Sequence, residues 1–99
     1  MVGARNVRTK EYKDLLENLP SQIRELADDH FQLFLSNPNH PSLRLHKLEN
    51  SHMPSHRDGS YSVSITMRYR AIFVIDDDTN VWYWVGSHTD YNKFTGRSR

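Results

Sequence analysis

The chain has 99 residues, 36% of them apolar and 25% charged, with a formal net charge of +1 and no cysteine. That is enough for one globular domain, which at this size hides roughly 60–65% of the surface of its unfolded chain, and too little for two. Disulfides, thiolate metal sites and cysteine nucleophiles are excluded, and no apolar run approaches the ~18 residues of a membrane span.

Residues 1–13 are polar and lack the apolar stretch of a secretory signal, so a cytoplasmic location is the default expectation. Residues 1–9 form a polar start with room for a short strand. From Glu11 the apolar spacing is helical, with Tyr12, Leu15, Leu16 and Leu19 in register. Pro20 stops that helix, and Ser21 is suited to cap a second. In the second, Ile23, Leu26, Ala27, His30, Phe31, Phe34 and Leu35 keep to one stripe until Asn37-Pro38-Asn39 breaks it. Leu43 to Leu48 alternates as a short strand does. Asn50 to Gly59 is polar and reads as a loop. Tyr61 to Met67 alternates apolar and polar residues, the pattern of a half-buried strand. Tyr69 to Ile75 is more apolar and suits a central strand, Asp76 to Asn80 a turn, and Val81 to Val85 a third, aromatic-rich strand. Gly86 ends it, and a polar tail with Tyr91 and Phe94 follows. The order predicts an α+β fold in one domain over residues 1–99: two N-terminal helices on one face of a small antiparallel sheet of three to four strands, the other face free to work.

The near-zero net charge hides an asymmetry. Six acids stand against two bases from Glu11 to Asp29, whereas five bases (Arg44, Lys47, Arg57, Arg68 and Arg70) stand against two acids from His40 to Arg70. Four histidines, His40, His46, His52 and His56, share the second stretch, and Arg97 and Arg99 make the end basic. Such a division suits a polyanion-binding face. On a continuous strand, period-2 alternation puts Arg68 and Arg70 on one face, where two guanidiniums suit a phosphate; the bland alternative is a solvated pair answered by acids such as Asp76. Arg44-Leu45-His46-Lys47 joins cations to an imidazole able to exchange a proton near neutrality, or is a plain surface strand. His88 follows a strand two residues from Asp90, which is suited to orient it for acid–base work, unless the segment is an Asx-type turn. Tyr91 and Phe94 either stack on a base or close the edge of the core. The histidine spacings match no metal motif, and no cofactor is implied.

Leu19-Pro20 before an amphipathic helix, then Asn37-Pro38 and Leu45-His46-Lys47-Leu48, resemble the RelE/ParE superfamily of bacterial toxins. So do Tyr61-Ser62-Val63-Ser64-Ile65 and Tyr69-Arg70-Ala71-Ile72-Phe73. The ending Val85-Gly86-Ser87-His88-Thr89-Asp90-Tyr91 is similar to the His-containing endings of the YafQ and HigB-like branches. The resemblance runs from Glu11 to Phe94. It implies a toxin held inactive by a cognate antitoxin. RelE-like members are ribosome-dependent endoribonucleases that cut mRNA in the ribosomal A site; ParE-like members share the fold and poison DNA gyrase instead. For the RNA-cutting branch it implies that Arg70 binds the scissile phosphate. Lys47, with His46 adjacent, supplies the base of the loop-strand ahead of it. His88 is the terminal functional residue, and Tyr91 or Phe94 the C-terminal aromatic. The expected site is thus His46, Arg70 and His88 for catalysis, with base and acid unassigned between the histidines. Arg44, Lys47, Arg57, Arg68, Tyr91 and Phe94 are the expected RNA contacts. The alternatives are a gyrase poison or a silent RNA-binding relative on the same fold. The Asn50–Gly59 loop, with His52, His56 and Arg57, is longer than the family pattern.

Overall fold

The computed structural model describes residues 2–49 and 55–96. His52, Arg97 and Arg99 lie outside the described residues, as does the first half of the loop expected over 50–59. The elements run β1 (Arg5–Arg8), α1 (Lys10–Glu17), α2 (Ser21–Ser36), a 3-10 turn (Pro41–Leu43), β2 (His46–Lys47), β3 (Ser60–Thr66), β4 (Tyr69–Asp76), β5 (Thr79–Ser87) and α3 (His88–Phe94). The Thr9 side chain caps α1 by accepting from the Tyr12 N–H. Pro20 itself is the cap position of α2 and makes no side-chain bond, so Ser21 is the first helical residue and not the cap.

The sheet has five strands in the order β1-β5-β4-β3-β2, with β2 to β5 antiparallel and β1 parallel to β5. The sheet therefore exceeds the expected three to four antiparallel strands by one parallel edge strand, which lies in the polar start where a short strand had room. Its four residues include three polar ones, so no alternation marks it. What holds it is Asn6, whose side-chain oxygen accepts from the Asn80 amide at 3.1 Å and from the Trp82 indole N–H at 3.0 Å. The strand expected over Leu43–Leu48 shrinks to His46–Lys47, because Pro41 starts a 3-10 turn and Arg44 then adopts a left-handed conformation (φ 47°). Leu43 is carried into the core instead of along an edge.

The face under α1 and α2 is apolar. Tyr12, Ala27 and Phe34 of the helices meet Val63, Ile65, Ala71, Phe73, Trp82 and Val85 of the sheet. Phe34 meets the Trp82 ring edge-on at 4.9 Å, and Phe73 lies 4.7 Å from the same ring. The helical stripe is narrower than the spacing implied, since Leu26 and Leu35 stay 37% and 47% exposed. Burial pushes the Tyr12 hydroxyl up to about 12, with Asp28 adding to the rise and Arg8 opposing it.

The second face differs. A bulge in β5 sets Trp82 opposite Phe73 and Trp84 opposite Ile72, so the two tryptophans point to opposite sides. Trp84, Ile72, Leu48 and Tyr91 make a smaller core there. It is covered by α3, where a polar tail was expected; this face is therefore only partly free. β5 also runs two residues further at each end than Val81–Val85. The helix begins because the Ser87 side chain accepts from the Asp90 N–H, and it turns back across β5 to lay Tyr91 and Phe94 on Trp84.

Candidate functional site

The second face carries the chemistry, and strand register decides which side chains share it. Cross-strand partners point to the same side. His46 pairs with Ser62, Ser62 with Ile72 and Ile72 with Trp84; Ser64 pairs with Arg70 and Arg70 with Gly86. His46, Ser62, Ser64, Arg70 and Trp84 therefore share the second face. Lys47 pairs with Tyr61, whose ring stacks on Phe73 in the first core. Lys47 thus points to the opposite face from Arg70. Arg68 is not on a continuous strand with Arg70: Met67 and Arg68 form the turn between Thr66 and Tyr69, which pair with each other.

Three of the expected residues converge at the N-terminus of α3. The Arg70 guanidinium carbon lies 6.0 Å from the centre of the Tyr91 ring, and the His88 ring stacks on Tyr91 at 6.5 Å and 22°. Arg70 Nη1 donates to the backbone carbonyls of Thr66 and Tyr69. This fixes the fork while Nη2 and Nε keep their donors for an anion. Gly86 is the partner of Arg70 for a steric reason: a Cβ there would sit 2.8 Å from the Trp84 ring. Arg68 joins the cluster through its backbone, since its carbonyl accepts from the His88 N–H. Arg68, Tyr69, Ser87, His88 and Thr89 line an open cleft of about 360 Å³.

His46 stands across the sheet, two strands from Arg70 and two residues along. Strand spacing and rise make that a Cα separation of about 12 Å, with the two residues on one face. Its Nδ1 is 3.1 Å from the carbonyl of Arg44. A carbonyl only accepts, so Nδ1 carries the proton and the neutral ring keeps its lone pair on Nε2. The left-handed Arg44 supplies that carbonyl. Its own side chain borders a second cleft with Ser64, Thr66 and Met67.

The other expected residues sit apart from this cluster. Phe94 stacks on Trp84 at 5.0 Å, six residues along α3 from His88, about 9 Å by helical rise. Arg57 lies over the Tyr83 ring at 4.8 Å, and its backbone N–H donates to the Tyr83 hydroxyl at 2.9 Å. Tyr91 is only 5% exposed, so its ring is a joint between Arg70, His88 and Trp84 more than an open platform. His88 and Asp90, two apart on a helix, diverge, and among the described residues no hydrogen bond joins them; Asp90 instead bonds the cap through its backbone. Sequence reasoning missed α3 and the Thr66 and Tyr69 carbonyls that hold Arg70. The helix had a signal, because Ser87-His88-Thr89-Asp90 has the spacing of a capping box. The carbonyls had none.

Comparison with known proteins gives this geometry a family. By fold the chain is similar to YafQ from E. coli (TM-score 0.66, 13% identity, covering 87% of this chain and 94% of that one). It is also similar to the RelBE2 toxin–antitoxin complex from Mycobacterium tuberculosis (0.63, 23%, 88% and 100%) and to a YoeB/ParE toxin from Agrobacterium tumefaciens (0.61, 17%, 85% and 98%). No curated protein matches it by sequence. Residues 21–93 match the family model of the ParE-like toxin domain, a span that holds His46, His88, Arg70 and Tyr91. The chain therefore belongs to the ParE-like toxin domain family.

Proposed function

We propose that this toxin domain is an endoribonuclease that cuts mRNA on the ribosome without a metal ion, and that a cognate antitoxin restrains it in the cytoplasm. The observation that carries the reading is the convergence of Arg70 and His88 on Tyr91, with His46 on the same sheet face across the strands. A gyrase poison needs a binding surface; it has no use for two imidazoles flanking a guanidinium. The complexes solved for related folds, RelBE2 and DinJ–YafQ among them, support an antitoxin as partner.

The chemistry follows from the groups. His46 Nε2 takes the proton of a ribose 2′-OH. The 2′-oxygen attacks phosphorus, and the charge that builds on the phosphoryl oxygens is held by the free donors of Arg70. The bond to the 5′-oxygen breaks, leaving a 2′,3′-cyclic phosphate on one fragment, and His88 gives its proton to the departing oxygen. Arg44 and Arg68 hold neighbouring phosphates. Lys47, on the other face, contributes long-range charge only.

The test is induced expression in bacteria with the 5′ ends of cellular mRNA mapped, wild type beside Arg70→Ala. Growth arrest with new, codon-phased ends in the wild type alone is the expected result. Arrest with intact mRNA moves the target to gyrase or another target, and no arrest leaves a silent or purely binding relative.

A further inference from the structure

Among the described apolar residues the most exposed large side chain is Met67, at 79%. It is not on a loose loop. The turn it caps is braced on three sides: the Arg68 N–H donates to the Thr66 hydroxyl at 3.0 Å, the His88 N–H donates to the Arg68 carbonyl, and the Arg70 guanidinium donates to the carbonyls of Thr66 and Tyr69. The hairpin tip is therefore tied to the group expected to hold the scissile phosphate. A cleft opens on each side of it. One, of about 380 Å³, lies toward the 3-10 turn and includes Ser42, Arg44, Ser64, Thr66 and Met67 itself. The other lies toward α3 and includes Arg68, Ser87 and His88. Each pairs a cation with hydroxyls, the equipment for a nucleotide's phosphate and base edge.

Cleavage by a 2′-oxygen requires that oxygen, the phosphorus and the departing 5′-oxygen to lie in line. A stacked strand holds the 2′-oxygen off that line, so the two nucleotides at the step must be splayed before reaction. Apolar side chains, methionine among them, do this elsewhere by entering between bases, at an unstacking cost of a few kcal/mol per step. We propose that Met67 is the wedge of this site: it enters the scissile step and parts the two bases, one into each flanking cleft, while Arg70 holds the phosphate between them. The inference rests on the RNA-cutting reading and adds a positioning residue to it. Met67 touches no reacting atom.

The test uses ribosomes programmed with an mRNA whose A-site codon carries 2-aminopurine and 2′-O-methyl sugars, which cannot be cut. Co-sedimentation reports binding of the toxin, and fluorescence, quenched by stacking, reports the splay. The expected result is binding by wild type, Met67→Ala and Met67→Leu, with a fluorescence rise for wild type and Met67→Leu but not for Met67→Ala. On the uncapped, cleavable codon Met67→Ala is expected to be slower by about 10- to 100-fold, from the unstacking free energy, and Met67→Leu near wild type. A toxin that binds without raising fluorescence, or a Met67→Ala that raises it as the wild type does, overturns the wedge and leaves the nuclease reading standing. A wild type that does not co-sediment overturns both.

Discussion

The two faces of the sheet are built on opposite rules. Under α1 and α2, Trp82, Phe73, Phe34 and Tyr12 close a continuous apolar layer. On the other face three serines of β3, Ser60, Ser62 and Ser64, are buried beside Ile72 and Trp84, and a single seven-residue helix covers part of the area. Serine buries little apolar surface, so this face, with its smaller core of Leu48, Ile72, Trp84 and Tyr91, contributes less than the first to holding the fold together. What it offers is side chains held by polar contacts, which are worth less in stability and more in geometry. One face supplies the free energy that lets the other remain incompletely packed.

That division predicts separable effects. Trp82→Ala removes the ring on which Tyr12, Phe31, Phe34 and Phe73 converge, and is expected to cost about 3–5 kcal/mol in urea unfolding. A smaller loss would mean that the first face is not the main support. His88→Ala on the second face is expected to lower RNA cleavage about 10²–10⁴-fold with an unchanged unfolding midpoint; a variant that unfolds early would make His88 structural. Alkali probes the first face again. Tyr12 titrates near 12 when folded and near 10 when unfolded. The raised value stabilises the fold below pH 10, and that contribution, about 3 kcal/mol, is lost as pH rises from 10 to 12. Tyr12→Phe should flatten the decline across this window in a pH series of unfolding curves. The smallest effect belongs to α3: Ser87→Ala removes its cap, at about 1 kcal/mol, with a larger relative loss of cleavage because His88 and Tyr91 ride on that helix. Equal losses in stability and activity would blur the distinction between the faces.

The legibility of the two faces in the sequence differs in the same way. Helix periodicity and the alternation of Tyr61, Val63 and Ile65 marked the first face, because apolar burial leaves a pattern. The second face is written in serines, a capping box and a bulge. Ser62 and Ser64 looked solvated and are buried. The extra residue in β5 that turns Trp84 away from Trp82 has no composition signal. Arg70 and His88 were visible as chemistry, yet their meeting point, the Tyr91 ring, became apparent only with α3. The expectation that Arg68 shares a face with Arg70 held only for a continuous strand, and a two-residue turn interrupts it; the side taken by Lys47 depends on the parity of a two-residue strand, which cannot be counted without knowing where the strand begins.

The parallel strand at the edge has a consequence in time. Gly3 bonds to Asn80 across 77 positions of chain, and Asn80 to Asn6 across 74. Closing so long a loop is entropically costly, and contacts of such separation slow folding. During synthesis β1 has no partner until β5 has emerged, and the helix that carries His88 comes later still. The sheet edge and the helix that carries His88 and Tyr91 are therefore completed only after the hairpins between them have formed.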